Sequence, residues 1–336
     1  MTPVLAAWGW GDADVTPVAG GLINQTFVVR RDNTAIAVVQ RLHPIFAPEV
    51  NLDIEAITAH LAARGVTTPR LIRTLDHQAW IVDGGHAWRA LTFVDGETVH
   101  RVPSPACAES AGALVGALHR GLADLEHTYA FARVGVHDTQ AHLAKLTAHT
   151  LAPGEFPEAR EAGDLAREIL NAASTLPPLP TTHCPRRHCH GDLKISNLLF
   201  VDGRASAIVD LDTFGLSTIA YELGDAMRSW CNPNGEDAGS VTFDLAIFEA
   251  AIRGWRSTVQ AVSADEQRSI VIGLETVCVE LAARFCVDVF RDDYFGWDTT
   301  RFPSRRAHNF VRSRGQLALA LAVRESRDAA LEIVLG

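Results

Sequence analysis

The alternation of apolar and polar positions divides the chain near residue 95 into a strand-rich stretch and a helix-rich one. Val18 to Val29 reads as a strand, a glycine turn at Gly20-Gly21 and a second strand. Ala35-Ile36-Ala37-Val38-Val39-Gln40-Arg41 forms the next, and Trp80-Ile81-Val82 and Trp88 to Val94 form two more around Asp83-Gly84-Gly85. Between these strands, Asn51 to Gly65 places Ile54, Ile57 and Leu61 on one helical face, with Gly65 and Pro69 as stop signals.

Beyond Asp95-Gly96-Glu97-Thr98, a break suited to a hinge, the pattern turns helical. Ser104-Pro105 supplies an N-cap and a first-turn proline to a helix with Leu114, Leu118, Leu122 and Leu125 on one side. Residues 151–181 read as a connecting stretch with one helix near Ala159 to Ala173, and Tyr221 to Arg228 begins another. A long helix from about Ile270 turns Leu274, Val277, Leu281 and Phe285 inward. The exception is a hairpin: Leu198 to Val201 and Ala207 to Val209 flank Asp202-Gly203, a dipeptide that favours a type I′ turn. These elements predict an α+β chain of two lobes. Residues 1–94 carry an antiparallel sheet with one helix, and residues 95–336 form a larger, mainly helical lobe.

Composition narrows the function. Hydrophobic residues at 47% and charged residues at 21% suffice for a sizeable core. A formal net charge of −10 gives no general attraction to nucleic acid or an anionic membrane, so neither is expected as a partner. No apolar run approaches the roughly 18 residues of a membrane span. The Met1-Thr2-Pro3 start has no basic segment ahead of an apolar one. Six scattered cysteines fit a reducing compartment, so a cytoplasmic location is expected for a monomer or homodimer. His183 to His190 is rich in His and Cys but lacks a second pair at zinc-finger spacing, and Cys278 and Cys286 read as core thiols.

The chemistry centres on His190-Gly191-Asp192-Leu193-Lys194-Ile195-Ser196-Asn197. The spacing His-x-Asp-Leu-x-x-x-Asn is that of a kinase catalytic loop, in which the Asp accepts the acceptor hydroxyl's proton and the Asn holds a magnesium ion. Asp192 and Asn197 take those roles. Asp210, which closes the hairpin's second strand, is the expected metal carboxylate. Asp212 is left to a second ion or to the acceptor. Glu222 or Asp225 is expected to brace the loop by accepting backbone hydrogen bonds, with a simple helix N-terminal acid as the alternative.

In a kinase the nucleotide's phosphates are covered by a glycine loop and gripped by a strand Lys paired with a helix Glu. Gly20, Gly21, Asn24 and Thr26 are the candidate loop, an ordinary hairpin turn being the other reading. The strand offers Gln40 and Arg41 instead of a Lys, on opposite faces by alternation. Arg41 keeps the charge, while Gln40 occupies the position of the Lys. Glu55 is the candidate helix partner. Backbone groups of Thr92, Phe93 and Val94 are expected to meet the adenine. Arg291 to Asp298 mixes aromatic and acidic residues, as a sugar pocket requires.

With Val39-Gln40-Arg41-Leu42, Trp88 to Gly96, His190 to Phe200, Val209 to Thr213, Leu223 to Arg228 and Arg284 to Tyr294 in view, the chain resembles the aminoglycoside phosphotransferase family of small-molecule kinases, and most of all its N-acetylhexosamine 1-kinase branch. The resemblance implies a protein-kinase-like fold and ATP with Mg²⁺ as cofactors. It also implies transfer of the γ-phosphate to a hydroxyl of a sugar or amino sugar. Asp192, Lys194, Asp212, Arg284, Asp288, Tyr294 and Trp297 are the candidate acceptor contacts. A cationic acceptor such as an aminoglycoside, glucosamine or choline is the alternative, as is an inactive nucleotide-binding module.

Overall fold

In a computed structural model, residues 1–18, 23–132, 134–151, 154–180, 184–238 and 240–336 are described. A short helix α1 (Thr2–Ala6) precedes an antiparallel sheet of β1 (Asp14–Pro17), β2 (Gln25–Arg31), β3 (Thr34–Arg41), β4 (Leu71–Ile72), β5 (Ile81–Asp83) and β6 (His86–Thr92). Its order is β1-β2-β3-β6-β4, with β5 paired to β6. Alternation gives the sheet two unlike faces. Val29, Ala37, Val39, Trp88 and Ala90 on one face bury Val4 and Leu5 of α1 and Trp8 just after it. The register sets Thr26 beside Gln40 and Gln40 beside Arg89 on the other.

Helix α2 (Val50–Ala62) connects β3 to β4, yet it belongs to the other core. Ile54, Ile57 and Leu61 share the large hydrophobic cluster with Val66, Leu118 and Leu122. The helix thus rides on the C-terminal part and presents Asn51 toward the sheet.

After β7 (Glu97–Thr98) come α3 (Pro105–Leu122), α4 (Thr139–Leu151), α5 (Ala159–Ser174) and β8 (Arg187–Cys189). The Ser104 hydroxyl caps α3 by accepting from Cys107 N–H, as its sequence predicts. The hairpin follows as β9 (Leu198–Val201) and β10 (Arg204–Ile208). Asp202 and Gly203 both have positive φ, 49° and 74°, the requirement of a type I′ turn. A strand β11 (Gly215–Ser217) pairs with β8, and helices α6 (Ile219–Trp230), α7 (Leu245–Thr258), α8 (Ala264–Arg291), α9 (Arg305–Glu325) and α10 (Arg327–Leu335) complete the chain.

Helix α8 begins six residues before the expected Ile270, because Ser263 and Glu266 form a capping box legible in the sequence as Ser-x-x-Glu. Its crossing with α6 is close. A Cβ on Gly273 would lie 2.0 Å from the Ala220 carbonyl oxygen, so only glycine lets α6 and α8 approach this closely. All six cysteines are buried thiols, Cys278 and Cys286 within α8 among them. Among the described residues, no helix is long and apolar enough to cross a membrane.

Candidate active site

The segment 190–197 is braced from α6. The Glu222 carboxylate, 2% exposed, accepts from the amides of His190 at 2.8 Å and Gly191 at 2.9 Å. His119 contacts it at 3.3 Å; because the Trp255 indole donates to His119 Nδ1, the proton on Nε2 points at Glu222. Burial pushes the Glu222 pKa up, and the hydrogen bonds it accepts from His119 and the Gly191 amide pull it below the usual glutamate range. Of the two acids left open by the sequence, Glu222 holds the loop, whereas Asp225 pairs with Arg228 at 2.9 Å. The Trp230 indole adds a bond to the Leu193 carbonyl at 2.8 Å.

Replacing Glu222 by Ala leaves two buried amides without an acceptor and should lower stability by about 3 kcal/mol, read as a shift in the urea midpoint. Because the folded-state pKa is depressed, this contribution is present above the unfolded value of about 4.3. It is lost as pH falls through the folded value.

Gly191 lets the chain turn toward Asp192. Its φ is 79°, and a Cβ there would stand 2.6 Å from the Thr213 carbonyl oxygen. Asp192 receives Lys194 Nζ at 2.8 Å and the Asn197 amide at 3.1 Å, and Asn197 also donates to the Asp192 carbonyl at 2.7 Å. Both donors of Asn197 are thereby used on Asp192, and its amide oxygen is turned the other way. Asp210 lies 3.8 Å from Lys194 across the same space and takes a left-handed backbone, φ 64° and ψ 58°. Burial opposes ionisation of Asp192, and Lys194 outweighs it, leaving the pKa below the usual range. Asp210 goes the other way: burial and the facing Asp192 raise it beyond what Lys194 offsets. Two hard oxygen donors, one on Asn197 and one on a carboxylate that is poorly compensated by protein alone, are of the kind that would hold a magnesium ion. Among the described residues, no three His, Cys, Asp or Glu side chains converge into a metal cage of their own.

The remaining expected nucleotide residues are rearranged. Gly20 and Gly21 lie outside the described residues. Gln40, not Arg41, lies on the sheet face of Thr26 and Arg89, since Arg41 shares the face that packs on α1. Nor does Glu55 meet a strand cation; it forms an ion pair with Arg73 at 2.5 Å near the surface, because α2 turns Asn51 rather than Glu55 toward the sheet. The residue that sequence reasoning missed is Arg89. Its side chain is 1% exposed and makes two bonds to Asp212, at 2.5 and 2.7 Å, two to Gln40 and one to Asn51. A lone charge inside Ala87-Trp88-Arg89-Ala90-Leu91 was the available signal, for a strand buries such a group only with a partner.

Asp212 is correspondingly corrected. Its side chain is fully buried and also accepts from Asn24 Nδ2 at 2.7 Å, so it faces neither a second ion nor the acceptor. Asn24 in turn accepts from the His43 amide, and Thr26 from Gln40. The Thr92 amide is spent on the Arg70 carbonyl, whereas Phe93 and Val94 run on past the end of β6.

A cavity of about 1470 Å³ opens beside Gly191, lined by the rings of Tyr129, His137, Phe214 and Tyr221 and by Asp138 and Asp225. His137 stacks on Tyr221 with ring centroids 4.5 Å apart. Of the expected acceptor residues, Lys194 alone lies in the 190–197 segment with Asp192. Arg284 and Tyr294 line a second cavity of about 510 Å³ with Lys145 and Phe295, which shares Ala132, Val134, Gly135 and Val136 with the first. Asp288 is a loop brace. It is buried and accepts from the amides of Asp293, Tyr294 and Phe295 and from Asn309, which leaves no lone pair for a sugar. Trp297 lies half-buried and lines neither cavity.

Residues 14–258 match the phosphotransferase enzyme family. A homoserine kinase of Granulibacter bethesdensis is 26% identical over 277 residues, covering 80% of this chain and 78% of that protein. The fold is shared with a microcompartment-associated aminopropanol kinase, TM-score 0.64 at 16% identity, over 97% of both chains. It is shared as well with a spectinomycin phosphotransferase in complex with ADP and spectinomycin, TM-score 0.61 at 12% identity, over 96% of this chain and 97% of that one. The antiparallel sheet and mainly helical remainder are thus those of the kinase-like fold expected from the sequence.

Proposed function

The chain belongs to the phosphotransferase enzyme family and is a small-molecule kinase with an alcohol acceptor, and we propose that it moves the γ-phosphate of ATP to a hydroxyl of a sugar or amino sugar. The observation that carries the transfer is the convergence of Asp192, Lys194, Asn197 and Asp210 in one space. Asp192, kept ionised by Lys194, takes the acceptor's proton as the hydroxyl attacks. Lys194 sits between the two carboxylates, where a transferred phosphate would need positive charge. Asn197 and Asp210 would hold the magnesium ion, which when bound neutralises the phosphate oxygens. Residues 1–94 form the nucleotide lobe in this reading, with Phe93 and Val94 beside the adenine, and residues 95–336 carry catalysis and the acceptor.

The acceptor follows from the cavity beside Gly191. Rings suit the apolar faces of a sugar, and the volume exceeds what an acceptor as small as homoserine fills. Among its described lining residues the only guanidinium is Arg186, which donates to the Leu216 carbonyl, so a carboxylate finds little to hold it. The similarity to homoserine kinases favours a second reading, a hydroxy amino acid whose carboxylate reaches Arg284 and Lys145 in the neighbouring cavity.

ADP release measured over a panel of hexoses, amino sugars, amino alcohols and homoserine separates the two. The sugar reading expects kcat/KM for the best hexose or amino sugar to exceed that for homoserine by about tenfold or more, a difference of about 1.4 kcal/mol in transition-state binding. Homoserine as the best acceptor, with Arg284→Ala abolishing its turnover, would establish the second reading instead.

A further inference from the structure

Arg89 spends every donor of its guanidinium inside the protein. Nε and one Nη hydrogen go to Gln40, a bond goes to Asn51, and the fork is closed on Asp212. It therefore has none left for a nucleotide phosphate, although it stands on the sheet face where a kinase carries its phosphate-gripping Lys. The carboxylate it holds is better placed to matter. Asp212 follows Asp210 by two residues, within the turn that gives Asp210 its left-handed backbone, and its Oδ2 also receives Asn24 at the start of β2.

We propose that Asp212 is a positioning residue. One buried carboxylate, clamped by Arg89 and Asn24, ties β6, through Arg89 also β3, and the entry to β2 to the segment that aims Asp210 at the metal. The inference rests on Asp210 being the metal carboxylate of the proposed kinase reaction. Without the clamp, residues 210–213 keep their place in the chain but lose their fixed direction, and a displacement of about 1 Å at a reacting group costs on the order of 10² in rate.

The test separates positioning from charge balance. Asp212→Asn should lower kcat by about 10²-fold and weaken binding of Mn²⁺ in the presence of ADP by about 10- to 100-fold, the usual cost of losing a residue that orients a metal ligand. Gln40→Glu combined with Asp212→Asn returns a carboxylate to Arg89 from the strand, since the Gln40 oxygen already takes two of its hydrogen bonds. The double variant should regain thermal stability but not Mn²⁺ affinity. Recovery of both would show that Asp212 merely neutralises Arg89 and would overturn the inference, as would unchanged Mn²⁺ affinity in Asp212→Asn. If that variant does not fold, Asn24→Asp, which removes the donor to Asp212 and keeps the oxygen that accepts from the His43 amide, should still weaken Mn²⁺ binding by roughly threefold or more; wild-type affinity there would equally refute the clamp. Failure of the unmodified protein to bind Mn²⁺ with ADP would instead count against the kinase reading itself.

Discussion

Asp192→Asn should lower kcat by roughly 10²- to 10⁴-fold while ADP and ATP bind almost as before. The substitution is nearly isosteric, and the backbone carbonyl of residue 192 keeps its 2.7 Å bond from Asn197. The brace from Glu222 acts on the amides of residues 190 and 191 and is untouched. What disappears is an ionised acceptor for the hydroxyl's proton, held below the usual carboxylate range by Lys194 against the pull of burial. Steady-state kinetics beside calorimetric titration of ADP would check both halves. Near-normal turnover would remove Asp192 from the role of base.

A larger loss is expected at Asp210, where Asp210→Asn should abolish turnover and reduce binding of ATP in the presence of magnesium. Asn is the better probe than Ala. Asn tolerates the left-handed backbone at φ 64°, so the loss reads on the carboxylate and not on the turn. The same carboxylate should set the acidic limb of the pH profile. Its pKa is raised by burial and by Asp192, whereas that of Asp192 is lowered, so on acidification Asp210 takes its proton first. Since a metal ion competes with that proton, higher magnesium should move the limb of kcat/KM to lower pH. A limb indifferent to magnesium would argue that Asp210 does not ligate it.

Local chemistry was readable along the chain. The Asp-Leu-x-x-x-Asn spacing, the Asp202-Gly203 turn, the Ser104 cap and the strand alternation of residues 35–41 each depend on neighbours a few positions away, and each appears where the pattern puts it. Even Gln40 and Arg41 were known to face opposite ways. Which one met the cleft was not, because alternation fixes relative faces and leaves the absolute choice to what packs on the sheet. The burial of Val4 and Leu5 of α1 and of Trp8 after it made that choice and put Arg41 on the α1 side.

Pairings across long sequence separations were beyond the chain's own text. Arg89 and Asp212 are 123 residues apart, and nothing local to either names the other. Glu55 was aimed at the cleft by helical position alone, but α2 is oriented by its apolar face against Leu118 and Leu122, and that rotation hands the cleft to Asn51. Asp288 reads as a free acid beside aromatic residues until the chain after α8 folds back and spends its oxygens on three amides. The sequence by itself determined the strands of residues 25–41 and 86–92, the 198–208 hairpin, the helices at 50–62 and 105–122 and the order of the candidate residues along 190–197, because turns, caps and spacing are short-range. Only the tertiary structure decided which charges are buried together, because burying a charge demands a partner and the partner is selected by packing over the whole molecule.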